Sequence, residues 1–180
     1  MTKDEKISKI IEHTIKHFEG GYVNNKNDKG GATNFGITRK TYETYFNKTV
    51  TNEDIKNMKI SEAIEIYRKN YFDSYEIDTR FPEELWHFMF DCYVQHNPIS
   101  VRKIVQRALN DCGEKLVVDG VLGKQTYSKL PCYSTEIVLQ YMIKWRIWLY
   151  DQIMKNDSSQ LIFKDGWMNR VNWFKGNRLW

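Results

Sequence analysis

Eight residues separate Glu19 from Asp28, and Thr33 follows Asp28 five positions later. The two carboxyl groups sit in opposite settings. Glu19 closes a segment in which Ile7, Ile10, Ile11, Ile15 and Phe18 recur at helical spacing, and a carboxyl held at the end of an apolar face has its pKa raised by desolvation. Asp28 lies among Asn24, Asn25, Asn27 and Lys29, where a carboxylate stays ionised. Such a pair suits cleavage of a glycosidic bond. One carboxyl delivers a proton to the leaving oxygen, and the other stabilises the oxocarbenium-like centre or activates water. The Thr33 hydroxyl is placed to hold that water. Residue types alone leave a second reading of Glu19 open, that of an exposed carboxylate at a helix end.

These side chains need elements to position them. The first amphipathic helix breaks at Gly20-Gly21, and GGYVNNKNDKGGATN then reads as a loop or short irregular hairpin. The pairs Gly20-Gly21 and Gly30-Gly31 allow sharp turns and close approach of a sugar to the backbone. Helical periodicity returns over 39–46, 52–57, 61–71, 83–95, 99–111, 125–130, 135–155 and 167–174. Pro82 and Pro98 stand near two of these starts, where a missing N–H costs little. The segment 135–155 carries Ile137, Val138, Met142, Trp145, Leu149 and Ile153, a stripe suited to a core. The expected fold is mostly α, with one short β-hairpin or loop segment after the first helix.

Composition narrows the classes. The chain has 180 residues, 41% hydrophobic and 28% charged, which is globular composition able to bury a core. No Pro/Gly/Ser-rich linker interrupts it. A net charge of +4 fits contact with an anionic polymer and fits an ordinary solvated surface equally well. Cys92, Cys112 and Cys132 are odd in number and lack CxxC spacing, so they read as buried thiols and not as a disulfide framework. His13 and His17 share a helix face, but Thr14 stands where a zincin motif has glutamate, and no metal is expected. MTKDEKISKIIEH has no uninterrupted apolar core of a secretory signal, and no stretch reaches eighteen apolar residues. The closing KDGWMNRVNWFKGNRLW is basic and aromatic; a packed helix with Trp167, Val171 and Phe174 turned inward accounts for it best.

The run HFEGGYVNNKNDKGGATNFGIT resembles the N-terminal part of glycoside hydrolase family 108, the N-acetylmuramidases. The shared elements are Glu19-Gly20-Gly21-Tyr22, Val23-Asn24, Asp28-Lys29-Gly30-Gly31-Ala32-Thr33 and Gly36-Ile37-Thr38. VRKIVQRALND, then VVDGVLGKQTY with its Asp119-Gly120 and Gly123, is similar to the family's peptidoglycan-binding-like C-terminal half. FKDGWMNRV is similar to its closing helix. The chain departs from the family at Val94-Gln95-His96-Asn97-Pro98, where relatives show V-N-x-G.

The resemblance implies a lysozyme-like helical catalytic lobe over 1–97 and a helical peptidoglycan-binding-like lobe over 98–180, packed into one globular unit. It implies a hydrolase cutting the β-1,4 bond between N-acetylmuramic acid and N-acetylglucosamine, hence cell-wall lysis. Glu19 would be the general acid, with Asp28 and Thr33 opposite it. Tyr22, Asn24, Asn34 and Thr38 border the loop as candidate sugar contacts. Peptidoglycan glycan strands are the expected partner of a monomer, with no cofactor, no nucleic acid and no integral membrane segment. Synthesis in the cytoplasm and action on the wall after release are expected. Two rivals stay open: a metal-dependent peptidoglycan amidase or peptidase, and a wall-binding protein without activity.

Overall fold

Helix α1 (Lys3–Phe18) starts at Thr2, whose hydroxyl accepts from the Glu5 N–H while the Glu5 carboxylate accepts from the Thr2 N–H. This reciprocal cap satisfies two otherwise orphaned donors. Ile7, Ile10, Ile11, Thr14 and Ile15 form its buried face. Each isoleucine taken fully out of water contributes roughly 1.5–3 kcal/mol, and that stripe fixes the rotation of the helix about its axis. The computed structural model describes residues 1–24 and 31–180.

The described chain divides into two compact units, Met1–Glu76 and Ile77–Trp180. In the first unit α1 is followed by the antiparallel pair β1 (Thr33–Asn34) and β2 (Ile37–Thr38), with Thr33 opposite Thr38 and Asn34 opposite Ile37. The two-residue connection, Phe35 and Gly36, has φ of 52° and 74°, as a tight hairpin turn requires. Val23 adds a further bridge to Thr33, with both backbone bonds at 2.8 Å. Helices α2 (Arg39–Phe46), α3 (Asn52–Lys56) and α4 (Ile60–Tyr67) follow. α4 widens into a π turn over Arg68–Asp73, and both pack against α1. The expected helix over 61–71 is therefore present but changes its winding halfway.

The second unit holds α5 (Ile77–Arg80), α6 (Trp86–Gln95), α7 (Pro98–Asp111), α8 (Lys124–Tyr127), α9 (Thr135–Asn156) and α10 (Lys164–Trp173), with 3-10 turns between several of them. α9 packs along α7 and takes α10 on another side. Residues 86–93 of α6 are buried without exception, the pattern of a helix enclosed all round. Its single acid, Asp91, meets Arg146 of α9 and Arg170 of α10. The boundary anticipated near residue 97 falls inside this unit, where the Asn97 side chain caps α7 by accepting from the Ser100 N–H.

The Asp119–Gly123 element is a turn clasped by one side chain. Gln106 donates to Asp119 Oδ1 and the Val121 carbonyl and accepts from the Gly120 N–H. Leu122 is buried, whereas Val121 is 66% exposed. Of the cysteines only Cys92, within α6, is buried; Cys112 is half-buried as the C-terminal cap of α7 and Cys132 is exposed at the end of a 3-10 turn, since element ends lie nearer the surface than a helix interior. Val171 and Phe174 are buried and Trp167 is half-buried against Tyr150. Among the described residues no helix is long and apolar enough to cross a membrane.

Candidate active site

Glu19 is four residues beyond Ile15, itself four beyond Ile11, so its carboxyl prolongs the buried face of α1. It is the C-terminal cap of the helix, with extended backbone (φ −99°, ψ 146°), and is half-buried. What covers it is the hairpin tip. A Cβ placed on Gly36 would lie 2.8 Å from Glu19 Oε2 and 2.5 Å from the Tyr67 hydroxyl oxygen. Only a glycine admits both oxygens there, and its positive φ independently favours glycine.

Tyr67 ends α4, is buried, and donates its hydroxyl proton to the Phe35 carbonyl at 3.0 Å. Its ring stacks on Tyr71, centroids 5.6 Å apart. Tyr71 lies in the π turn. Burial first, then the charges of Tyr75 and Glu19, push its phenol pKa upward. π turns recur at functional sites.

The other expected residues divide by placement. Thr33 sits at the centre of the small sheet, between Val23 and Thr38, and its hydroxyl is 3.5 Å from the Gly31 carbonyl. Its pairing with Val23 adds a third short segment to the hairpin. Asp28 itself lies outside the described residues. Asn34 faces the interior: its amide nitrogen donates to the carbonyls of Ile55 at 3.0 Å and Lys56 at 3.1 Å, a structural task at the end of α3. Thr38 caps α2 by accepting from the Thr41 N–H. Tyr22, Thr33 and Thr38 are half-buried and Asn24 is exposed, so all four keep surface to offer a sugar, whereas Asn34 is buried. His13 and His17 contact each other, ring centroids 4.3 Å apart. No group of three or more potential metal ligands occurs among the described residues.

Residues 11–96 match the model of the family described as glycosyl hydrolase 108. The chain carries a glycosyl hydrolase 108 domain. Residues 100–172 match a second family model, described as a predicted peptidoglycan domain. The two matches together make the chain a peptidoglycan hydrolase of the glycoside hydrolase class. Among solved structures it is similar to Brucella abortus SagA, with 26% identity over 96% of this chain and 92% of that chain and a TM-score of 0.70. No curated protein matches it.

Within the glycosyl hydrolase 108 domain the sequence pointed to Glu19 and carried no sign that Tyr67 and Gly36 would lie against it. Tyr67 and Tyr71 are four apart in an apolar-looking helix, and nothing in that spacing distinguishes a site tyrosine from a core one. Gly36 was visible as part of the Gly36-Ile37-Thr38 element, though not what its missing side chain makes room for.

Proposed function

We propose that this chain is an N-acetylmuramidase that cuts the β-1,4 bond on the reducing side of N-acetylmuramic acid. Glu19 gives its proton to the glycosidic oxygen as the bond breaks. Asp28 and Thr33 stand on the other side of the sugar, where they hold the attacking water or stabilise positive charge on the anomeric carbon. Tyr22 and Asn24 contact the bound sugars from the start of the loop.

The observation that carries this reading is the placement of Glu19. It is the acid at the end of an apolar helix face, half-buried beneath a glycine hairpin tip, within the part of the chain that matches a glycoside hydrolase family. Proton delivery requires a carboxyl held in one place and partly screened from water, and this one has walls on two sides.

The test is the chemistry of the product. Purified sacculi digested with the full chain, in buffer containing a chelator, are reduced and the fragments sequenced by mass spectrometry. New reducing ends on N-acetylmuramic acid are expected. New ends on N-acetylglucosamine would reassign the bond, and release of free stem peptides without new reducing ends would overturn the glycosidase reading of this site.

A further inference from the structure

We propose that Tyr67 is a positioning residue for Glu19: its hydroxyl ties the hairpin tip down and so fixes where the proton-donating carboxyl stands. This rests on the reading of Glu19 as general acid.

Three elements converge on one point. The end of α1 brings the Glu19 carboxyl, the hairpin brings the open side of Gly36, and the end of α4 brings the Tyr67 hydroxyl. The hairpin tip is not a relaxed turn. Phe35 holds φ of 52°, a conformation uncommon for a bulky side chain, and such residues persist where their surroundings hold them in place. The hold is visible. Tyr67 is 3% exposed and its hydroxyl donates to the Phe35 carbonyl at 3.0 Å.

The same hydroxyl oxygen and Glu19 Oε2 both border the space a Gly36 side chain would fill. Tyr67 therefore does two things through one oxygen. Its proton fixes the Phe35–Gly36 peptide, and its bulk closes one wall of the slot in which the carboxyl sits. Tyr71, stacked on Tyr67, backs that wall. Without the hydroxyl the tip is free to lift and the carboxyl has a wider choice of rotamers, so fewer encounters present the donor in line with the leaving oxygen. Substrate contacts made by Tyr22 and Asn24 are untouched. The consequence is a loss in kcat with little change in KM.

The experiment uses the full chain and soluble glycan strands, with kcat and KM followed by new reducing ends and folding followed by thermal melting. Tyr67→Phe is expected to lower kcat roughly tenfold with KM within about twofold, since small misplacements of reacting groups cost this much or more. Gly36→Ala is expected to lower kcat further, because its methyl meets both oxygens. In the double variant Gly36→Ala/Tyr67→Phe one of those oxygens is gone, and the loss should be smaller than the product of the two single losses.

Wild-type kcat in folded Tyr67→Phe would overturn the proposal, as would strictly multiplicative losses, which would make Gly36 a turn residue alone. If Tyr67→Phe does not fold, wild-type kcat in folded Gly36→Ala overturns it. Collapse of both variants would make Tyr67 purely structural and overturn it as well. Glu19→Gln run in parallel separates the two claims. If it turns over normally, the muramidase reading fails; if it is inactive while Tyr67→Phe is normal, only the positioning role fails.

Discussion

Asp91 and Arg170 lie 79 positions apart, yet Arg170 Nε stands 2.9 Å from Asp91 Oδ1 in the interior of the second unit. Arg146 takes the other carboxylate oxygen at 2.6 Å. Asp91 belongs to α6, inside the glycosyl hydrolase 108 match, whereas both arginines belong to the peptidoglycan-domain match. Ion pairs without water are costly to strand: removing one partner of a buried pair costs about 3–5 kcal/mol, because the other charge is left uncompensated. The end of one family segment is thus held by the other.

The acid side of the stability profile should report this cluster. Burial pushes the Asp91 carboxyl up, but Arg146 and Arg170 more than offset it and hold it down to about 2. An unfolded aspartate titrates at roughly 3.9. The folded pKa is the lower one, so the contribution is complete above about pH 4 and is lost as pH falls toward 2. Urea midpoints measured between neutral pH and pH 2 should drop over that window in the wild type. Asp91→Asn should start lower and fall less there; parallel curves would remove Asp91 as the cause.

Truncation after Asn97 removes Arg146 and Arg170, the two cations that pair with Asp91. We further propose that the catalytic lobe depends on the C-terminal lobe for its folding, so a Met1 to Asn97 fragment is expected to be insoluble or inactive. Limited proteolysis followed by isolation of the fragments is the check. A monomeric fragment that unfolds cooperatively and keeps lytic activity would show that the catalytic part stands alone.

Much of the helical scaffold was legible because apolar periodicity is strong. The segments expected at 39–46 and 135–155 correspond to α2 (Arg39–Phe46) and α9 (Thr135–Asn156). The four-residue α5 and the 3-10 turn over Ser158–Phe163 were not, since one turn of helix is too short to show a period. Asp91 carried a usable signal: one acid in the apolar run WHFMFDCYV demands a buried partner. Which arginine answers it depends on how α9 and α10 pack, and no local pattern states that. Gln95, at the departure from the family's V-N-x-G, accepts from Arg146 and from the Tyr150 hydroxyl, so that corner is tied to the same cluster. At the site, the position of Glu19 at the end of the apolar face of α1 was legible from the spacing of the isoleucines. The hydrogen bonds of Asn34 to α3 and of Thr38 to α2 were not, because an asparagine that braces a helix end and one that stays on the surface look alike in sequence.

Glu12 and Asp28 should differ sharply in consequence. Glu12 pairs with Lys16 at 2.6 Å on the outer face of α1, a surface pair whose loss costs roughly 0–1 kcal/mol. Glu12→Gln is therefore expected to leave turnover within about twofold of wild type, since among the described residues it disturbs only that pair. Asp28→Asn is expected to cost on the order of 10² or more in kcat if Asp28 serves opposite the proton donor. Rates of reducing-end release from the two variants decide it, and a silent Asp28→Asn would move the water-holding role elsewhere.

The proposed reaction depends on proton donation by Glu19. Its most direct measurement is the rate at which folded Glu19→Gln releases soluble fragments from purified sacculi, with circular dichroism and the melting temperature matched to wild type. General acid catalysis contributes roughly 10²–10⁴ in rate, and glutamine occupies the same space with no acidic proton, so a loss of at least that size is expected. Release at close to the wild-type rate by a properly folded Glu19→Gln protein would contradict the account.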